Sequence, residues 1–137
     1  MIECDELWSF VGNKRNQQWI WLALDRETRE IVGCYIGSRD ENGAIGLWYS
    51  LPECYLDAET YTDFWKAYPA IFYDKTLHQV GKETGLTNHI ERFNNTLRQR
   101  VSRLVRKTLS FSKNLVNHIG AIWFFIHHYN QTKALPV

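Results

Sequence analysis

The sequence predicts an α/β fold: a mixed five-stranded sheet, three antiparallel strands first, flanked by helices. Three observations carry this expectation. Three strand-like runs joined by short turns open the chain, two shorter strand signals follow a helical segment, and two long helical patterns close it.

Residues 2–11, Ile-Glu-Cys-Asp-Glu-Leu-Trp-Ser-Phe-Val, alternate as a strand does. One face carries Ile2, Cys4, Trp8 and Phe10 and the other Glu3, Asp5, Leu7, Ser9 and Val11. Gly12 to Asn16 is a polar turn. Residues 18–24, Gln-Trp-Ile-Trp-Leu-Ala-Leu, are nearly all apolar, which suits a strand buried on both faces. Asp25 to Glu30 turns the chain and Ile31 to Ile36 is the third strand, giving an antiparallel meander. Ser38-x-x-Glu41 resembles a capping box, and Ala44, Leu47, Trp48 and Leu51 keep helical spacing until Pro52, although Gly43 and Gly46 weaken that helix. Glu59 to Thr62 is a fourth, short strand with Asp63 at its end, Phe64 to Tyr68 a helical turn, and Leu77 to Val80 a fifth strand. A loop over 81–88 leads to a basic helix from Asn88 to Lys107. The last helix, Leu115 to Tyr129, sets Leu115, Ile119, Ile122, Trp123 and Ile126 against the sheet.

Composition narrows the function classes. A 137-residue chain that is 45% hydrophobic and 15% aromatic can bury one sizeable core, so residues 1–137 read as a single domain. It carries no leader, no run of membrane-spanning length and no repeat, so a cytoplasmic location is expected. Cys4, Cys34 and Cys54 are scattered and odd in number, which suits buried reduced thiols rather than a disulfide framework or a zinc site. The net charge of +1 hides an asymmetry: residues 1–63 hold twelve acids and five bases, and residues 64–137 three acids and eleven bases. Such a basic half suits a polyanionic partner, or simply solvated helix faces.

The chemistry concentrates in residues 87–113, which hold one acid, Glu91, and seven bases: Arg92, Arg98, Arg100, Arg103, Arg106, Lys107 and Lys113. Helical spacing groups Glu91, Asn94 or Asn95, and Arg98 on one face. Two more acids stand where they could converge on Glu91: Asp5 inside the first strand and Asp63 at the carboxyl end of the fourth. Carboxylate oxygens are hard ligands suited to magnesium, which binds through one or two carboxylates and substrate phosphate oxygens. Each acid also has a plainer role available. One of Asp5 and Glu6 suits a solvated sheet edge, Asp63 an N-cap, and Glu91 a capping box with Asn88. Asp57, Glu59 and Asp74 are weaker choices for a second ligand than Asp63, because open α/β sheets present ligands at strand ends. Arg98, with Arg92, Arg100, Arg103 and Lys107 more loosely placed, suits phosphate, and Asn94 or Asn95 phosphate or sugar oxygens. His89 could touch DNA or the metal but is expected only to decorate the start of the basic helix, and His127 and His128 could reach the metal site if the last helix folds back but more simply complement its dipole. Trp19, Trp21, Trp48 and Trp123 read as core.

Four segments carry a family resemblance. Cys-Asp-Glu-Leu-Trp-Ser-Phe-Val-Gly at 4–12, Tyr-Thr-Asp-Phe-Trp at 61–65, Ile-Glu-Arg-Phe-Asn-Asn-Thr-Leu-Arg-Gln-Arg at 90–100 and Arg-Lys-Thr-Leu-Ser-Phe-Ser-Lys at 106–113 look like a DDE transposase. In that order they resemble the insertion-sequence-1 family of bacterial transposases, over essentially the whole chain.

The resemblance implies an RNase H-like fold with Asp5, Asp63 and Glu91 as a catalytic triad holding two magnesium ions, manganese being a substitute. It implies an enzyme that cleaves double-stranded DNA at element ends and joins the freed 3′-hydroxyl to a target, with Asn94, Asn95, Arg98, Arg92, Arg103 and Lys107 on the DNA. A homodimer or higher synaptic complex and a nucleoid-associated place in the cytoplasm follow. The family's full-length enzymes carry an N-terminal DNA-recognition region, and the expectation is that this chain lacks it. Two alternatives stand beside the transposase: an RNase H-like nuclease for another nucleic acid, and an inactive DNA-binding fragment that inhibits a full-length relative.

Overall fold

The computed structural model describes residues 1–69, 71–72, 76–107 and 115–134, with side chains for all of these except 13, 14, 101–107 and 134. Its centre is a five-stranded sheet. Strands β1 (Ile2–Leu7), β4 (Trp19–Asp25) and β5 (Ile31–Gly37) form the antiparallel part. Strands β6 (Thr60–Thr62) and β7 (Leu77–Gln79) add in parallel on the other side of β1, for the order β5-β4-β1-β6-β7. A separate ribbon pairs β2 (Phe10–Val11) with β3 (Asn13–Gln17). The helices are α1 (Glu41–Ser50), α2 (Asn88–Lys107) and α3 (Leu115–Ala134). The expected α/β class and mixed five-stranded sheet are what the chain forms, an arrangement consistent with an RNase H-like fold.

Strand alternation builds a core on each face of the sheet. Leu7, Ile20, Leu22, Leu24 and Ile31 pack with Ile90, Phe93 and Leu97 of α2 and with Ile122 and Ile126 of α3. Ile2, Cys4, Trp21 and Ala23 pack on the opposite face with Ala44, Leu47, Tyr68 and Phe72. The apolar run of β4 therefore serves both cores, and burying each large aliphatic or aromatic side chain there contributes about 1.5–3 kcal/mol.

Several local expectations change. The first strand does not continue to Val11. Its pairing with β4 ends at Leu7 opposite Ile20, and Phe10–Val11 turns away to pair with β3 through a bulge. Ser9 explains the break: its carbonyl accepts from Gln18 N at 2.8 Å and its hydroxyl donates to the Gln18 carbonyl, ending the sheet ladder in a side-chain bond. The polar stretch that reads as a turn is thus mostly β3, with Gly12 at φ 79° at the tip. The N-cap of α1 is Asp40 rather than Ser38. Asp40 Oδ1 accepts from Asn42 N and Gly43 N, and the Ser38 hydroxyl donates to the same carboxylate. Residues 64–68 form turns rather than a helical segment. In α3, Ile122 and Ile126 face the core, but Trp123 is 38% and Leu115 40% exposed. The buried stripe runs through His118, Ile122 and Ile126, and Trp123 lies one helical step off it. Cys4 and Cys34 are buried free thiols, whereas Cys54, in a short 3₁₀ turn, is exposed.

Gly43, a weakness in propensity, is required by packing. A Cβ there would lie 2.2 Å from the Ser38 carbonyl oxygen and 2.3 Å from Trp21 Nε1, and those two groups are themselves hydrogen bonded at 2.8 Å. Gly43→Ala is expected to destabilise the fold by about 1–3 kcal/mol, the range of an overpacked core, rather than to stabilise it as in a free helix. Urea denaturation midpoints of the two proteins measure this. Among the described residues no helix is long and apolar enough to cross a membrane.

Candidate active site

The parallel register of β1 and β6 brings the first two acids together. Ile2 pairs with Thr60 and Glu3 with Tyr61, so the same register carried two residues further sets Asp5 beside Asp63. Asp63 follows the last residue of β6, and its Oδ1 accepts from Trp65 N at 3.0 Å. The N-cap-like role and the place at a strand end therefore coexist. α2 crosses the same region. Asp5, Asp63 and Glu91 line one cleft of about 240 Å³ with Asn94, Asn95, Arg98, Lys82 and Thr87.

A buried carboxylate fixes α2 on the sheet. Glu3 Oε1 accepts from the backbone N–H groups of His89 and Ile90, both at 3.0 Å, and Glu3 Oε2 takes Arg26 Nε at 3.0 Å. Two N–H groups that a helix start leaves unpaired are thereby satisfied from a neighbouring strand. Burial pushes the Glu3 carboxyl upward, against the Ile90 N–H, the Arg26 charge and the His89 N–H. The capping box of Asn88 with Glu91 does not form. Asn88 N donates to the Gly85 carbonyl, and the Glu91 carboxylate has no hydrogen-bond partner among the described residues.

Asp5 and its neighbour Glu6 sit in an environment that resists their charge. Burial raises Asp5 to about 6, helped by the charges of Asp63 and Glu91 and opposed by the Glu6 N–H and the Asn94 amide. The two hydrogen bonds are Glu6 N to Oδ1 at 2.9 Å and Asn94 Nδ2 to Oδ2 at 2.8 Å. Glu6, which the sequence left as one of a pair expected at a solvated edge, is buried on the opposite face of β1. Burial and the charges of Asp5 and Asp63 raise it to about 7, against a hydrogen bond from Tyr68 and one from Arg39. The Tyr68 hydroxyl donates at 2.6 Å, and Arg39 Nη2 lies at 3.2 Å with its guanidinium between the Trp19 and Trp65 rings.

Asp5, Glu6 and Asp63 each offer a carboxylate oxygen within 4.8 Å of the others, and Asn94 Oδ1 is buried without a partner beside them. Hard oxygen donors at that spacing suit magnesium better than a softer metal.

The remaining expected residues divide. Asn94 is buried and bonded to Asp5, while Asn95 and Arg98 are exposed on the cleft. Arg92 lies off the cleft, and the side chains of Arg103 and Lys107 lie outside the described residues, as does Asp74. Asp57 is not on the cleft, and Glu59 pairs with His78. His127 and His128 are exposed on α3, and His89 bonds Arg29. Sequence pattern assigned no site role to Glu6, Tyr68, Lys82 or Thr87. A third acid beside Glu3 and Asp5 in a strand of only six residues was the available signal for Glu6. Nothing local marks Tyr68, whose contact spans 62 positions.

A family model described as IS1 transposase matches residues 1–131. The insertion element IS1 4 protein InsB of Escherichia coli (strain K12) is 36% identical over 129 residues, covering 93% of this chain and 75% of that protein. The insertion element iso-IS1n protein InsB of Shigella dysenteriae is 37% identical over 124 residues, covering 90% of this chain and 92% of that protein. The insertion element IS1 protein InsB of Shigella flexneri is 36% identical over 129 residues, covering 93% and 95%. With nearly its full length matched, and with the acidic cleft falling inside the matched span, the chain belongs to the IS1 transposase family.

Proposed function

We propose that the chain is the catalytic domain of a DNA transposase that cuts double-stranded DNA at element ends and transfers the freed 3′-hydroxyl into target DNA. Asp5, Asp63 and Glu91 would hold two magnesium ions, or manganese in their place, with Glu6 closing the acidic pocket from behind. Bound there, the ions supply Lewis-acid activation of the attacking oxygen and stabilisation of the leaving oxygen in an in-line displacement. The chain's own groups do the rest. Asn94 and the Glu6 N–H aim Asp5 into the cleft, and Tyr68 and Arg39 hold Glu6 in place. Arg98 grips a phosphate bidentately, and Asn95 bonds phosphate or sugar oxygens. Arg92, Arg103 and Lys107 extend a cationic track whose grip weakens with salt. Two element ends call for a homodimer or higher synaptic complex.

The observation that carries this reading is the gathering of three acids from a strand, a strand end and a helix into one cleft with Arg98. The test supplies a duplex with a free 3′-hydroxyl end and a plasmid target, with magnesium, and with an N-terminal DNA-recognition region present or absent. Joined end–target product is the expected result. Hydrolysis without joining would favour a nuclease, and binding without chemistry an inhibitory fragment; either overturns the transferase.

A further inference from the structure

We infer that Arg29, His89 and Arg92 form a second DNA-phosphate site, on the side of α2 turned away from the cleft. It rests on the DNA-binding reading above and adds a surface to it. At 3.6 residues per turn, Arg92 and His89 lie roughly 100° and 160° round the helix from Glu91, adjacent to each other.

The turn between β4 and β5 presents Arg29 to them. Asp25 Oδ1 accepts from Glu27 N and Thr28 N to close this turn, and Arg29 follows at φ 67°, the one left-handed residue other than glycine among those described. An arginine in that conformation carries a backbone strain that glycine would not. What the arginine provides there is a held guanidinium: Nε donates to the Arg26 carbonyl at 2.9 Å and Nη1 to His89 Nδ1 at 2.6 Å. Because Nδ1 accepts, His89 is neutral and carries its proton on Nε2. The charges of Arg29, Arg26 and Arg92 all reach this ring. Tyr129 of α3 feels Arg29 and Arg92 as well, so these groups share one neighbourhood.

Among the described residues no acid pairs with them. Arg26 is taken by Glu3, and Asp25 by the turn and the Tyr55 hydroxyl. Neither Glu27 nor Glu30 pairs with Arg29 or Arg92 among the described residues. Two guanidiniums and an imidazole N–H without an acidic partner suit the paired non-bridging oxygens of a phosphodiester. The track of bases along α2 makes DNA the source of that phosphate.

The experiment measures binding of a short duplex to the full chain in chelator, across a series of salt concentrations. Arg29→Gly relieves the left-handed backbone, so thermal melting should hold or rise. Its plot of log K against log salt should lose about one unit of slope, with affinity about three- to tenfold weaker at moderate salt. Arg29→Gly with Arg92→Ala should lose about two units. An unchanged slope and affinity for Arg29→Gly, in a parent that binds DNA salt-dependently, overturns this site alone. A parent with no salt-dependent binding overturns the DNA-binding reading itself.

Discussion

Replacing Glu91 by glutamine, or Asp5 or Asp63 by asparagine, is expected to abolish metal-dependent cleavage and joining. The side chain's shape persists while its charge goes, so the loss falls on metal binding and on transition-state charge. About 4 kcal/mol of lost stabilisation corresponds to about a thousandfold in rate, and that is a lower figure for a shared metal site. Binding of DNA in chelator should move the other way. Each acid repels phosphate, so removing one should leave affinity unchanged or slightly tighter. Gel-based strand-transfer assays with magnesium and binding assays in chelator separate the two effects. Full metal-dependent activity in any one of the three variants would remove that residue from the proposed triad.

Without metal, the chain should lose stability as pH rises from about 4 to about 7. Asp5 is raised from 3.8 to about 6 and Glu6 from 4.5 to about 7. A carboxyl whose folded-state pKa is raised binds its proton more tightly in the native state. Its stabilising contribution is therefore complete below the unfolded value and is lost as pH climbs through the folded one. Each shift corresponds to something on the order of 3 kcal/mol, and the two together to less than the sum because they repel each other. Asp25 runs oppositely: burial pushes it up, but hydrogen bonds from Tyr55, Glu27 N and Thr28 N hold it low, so its contribution is lost as pH falls. Magnesium should restore stability above pH 7 by binding the ionised acids of the native state alone. Denaturant midpoints at pH 5 and pH 8, with chelator and with magnesium, give the comparison, and Asp5→Asn should flatten it. A metal-free protein equally stable at both pH values would show that the acids are better solvated than their burial implies.

The parts of this fold that were legible in the sequence are those that local pattern controls. The apolar run 19–24 marks a strand covered on both faces, and the spacing of Ile90, Phe93 and Leu97 marks the buried face of α2. Asp5 and Asp63 could be placed at a strand and a strand end because secondary structure alone sets those positions. What the sequence hid were contacts between distant segments. Ser9 closes a strand that pattern would continue, by bonding Gln18. Asp40 outcompetes Ser38 as a cap because its carboxylate receives the Ser38 hydroxyl as well as two backbone N–H groups. Gly43 looks like a helix breaker until Trp21 is packed against it. Glu6 looks exposed until Tyr68 and Arg39 arrive from elsewhere.

The link from Glu3 to α2 has a metrical side. On β1, Glu3 and Asp5 are two residues apart, about 6.6 Å along an extended strand. On α2, the positions they bind run from His89 and Ile90 to Asn94, about 6–7.5 Å along a helix axis. Strand and helix thus keep step over this interval like two scales read against one another, and the two bonded marks leave no freedom to slide. Glu91 lies between those marks, so its height above Asp5 is set by arithmetic of the backbone rather than by any contact of its own. Adding or deleting one residue between Glu3 and Asp5 would put the scales out of phase by about half a helical turn. It would displace Glu91 without touching it.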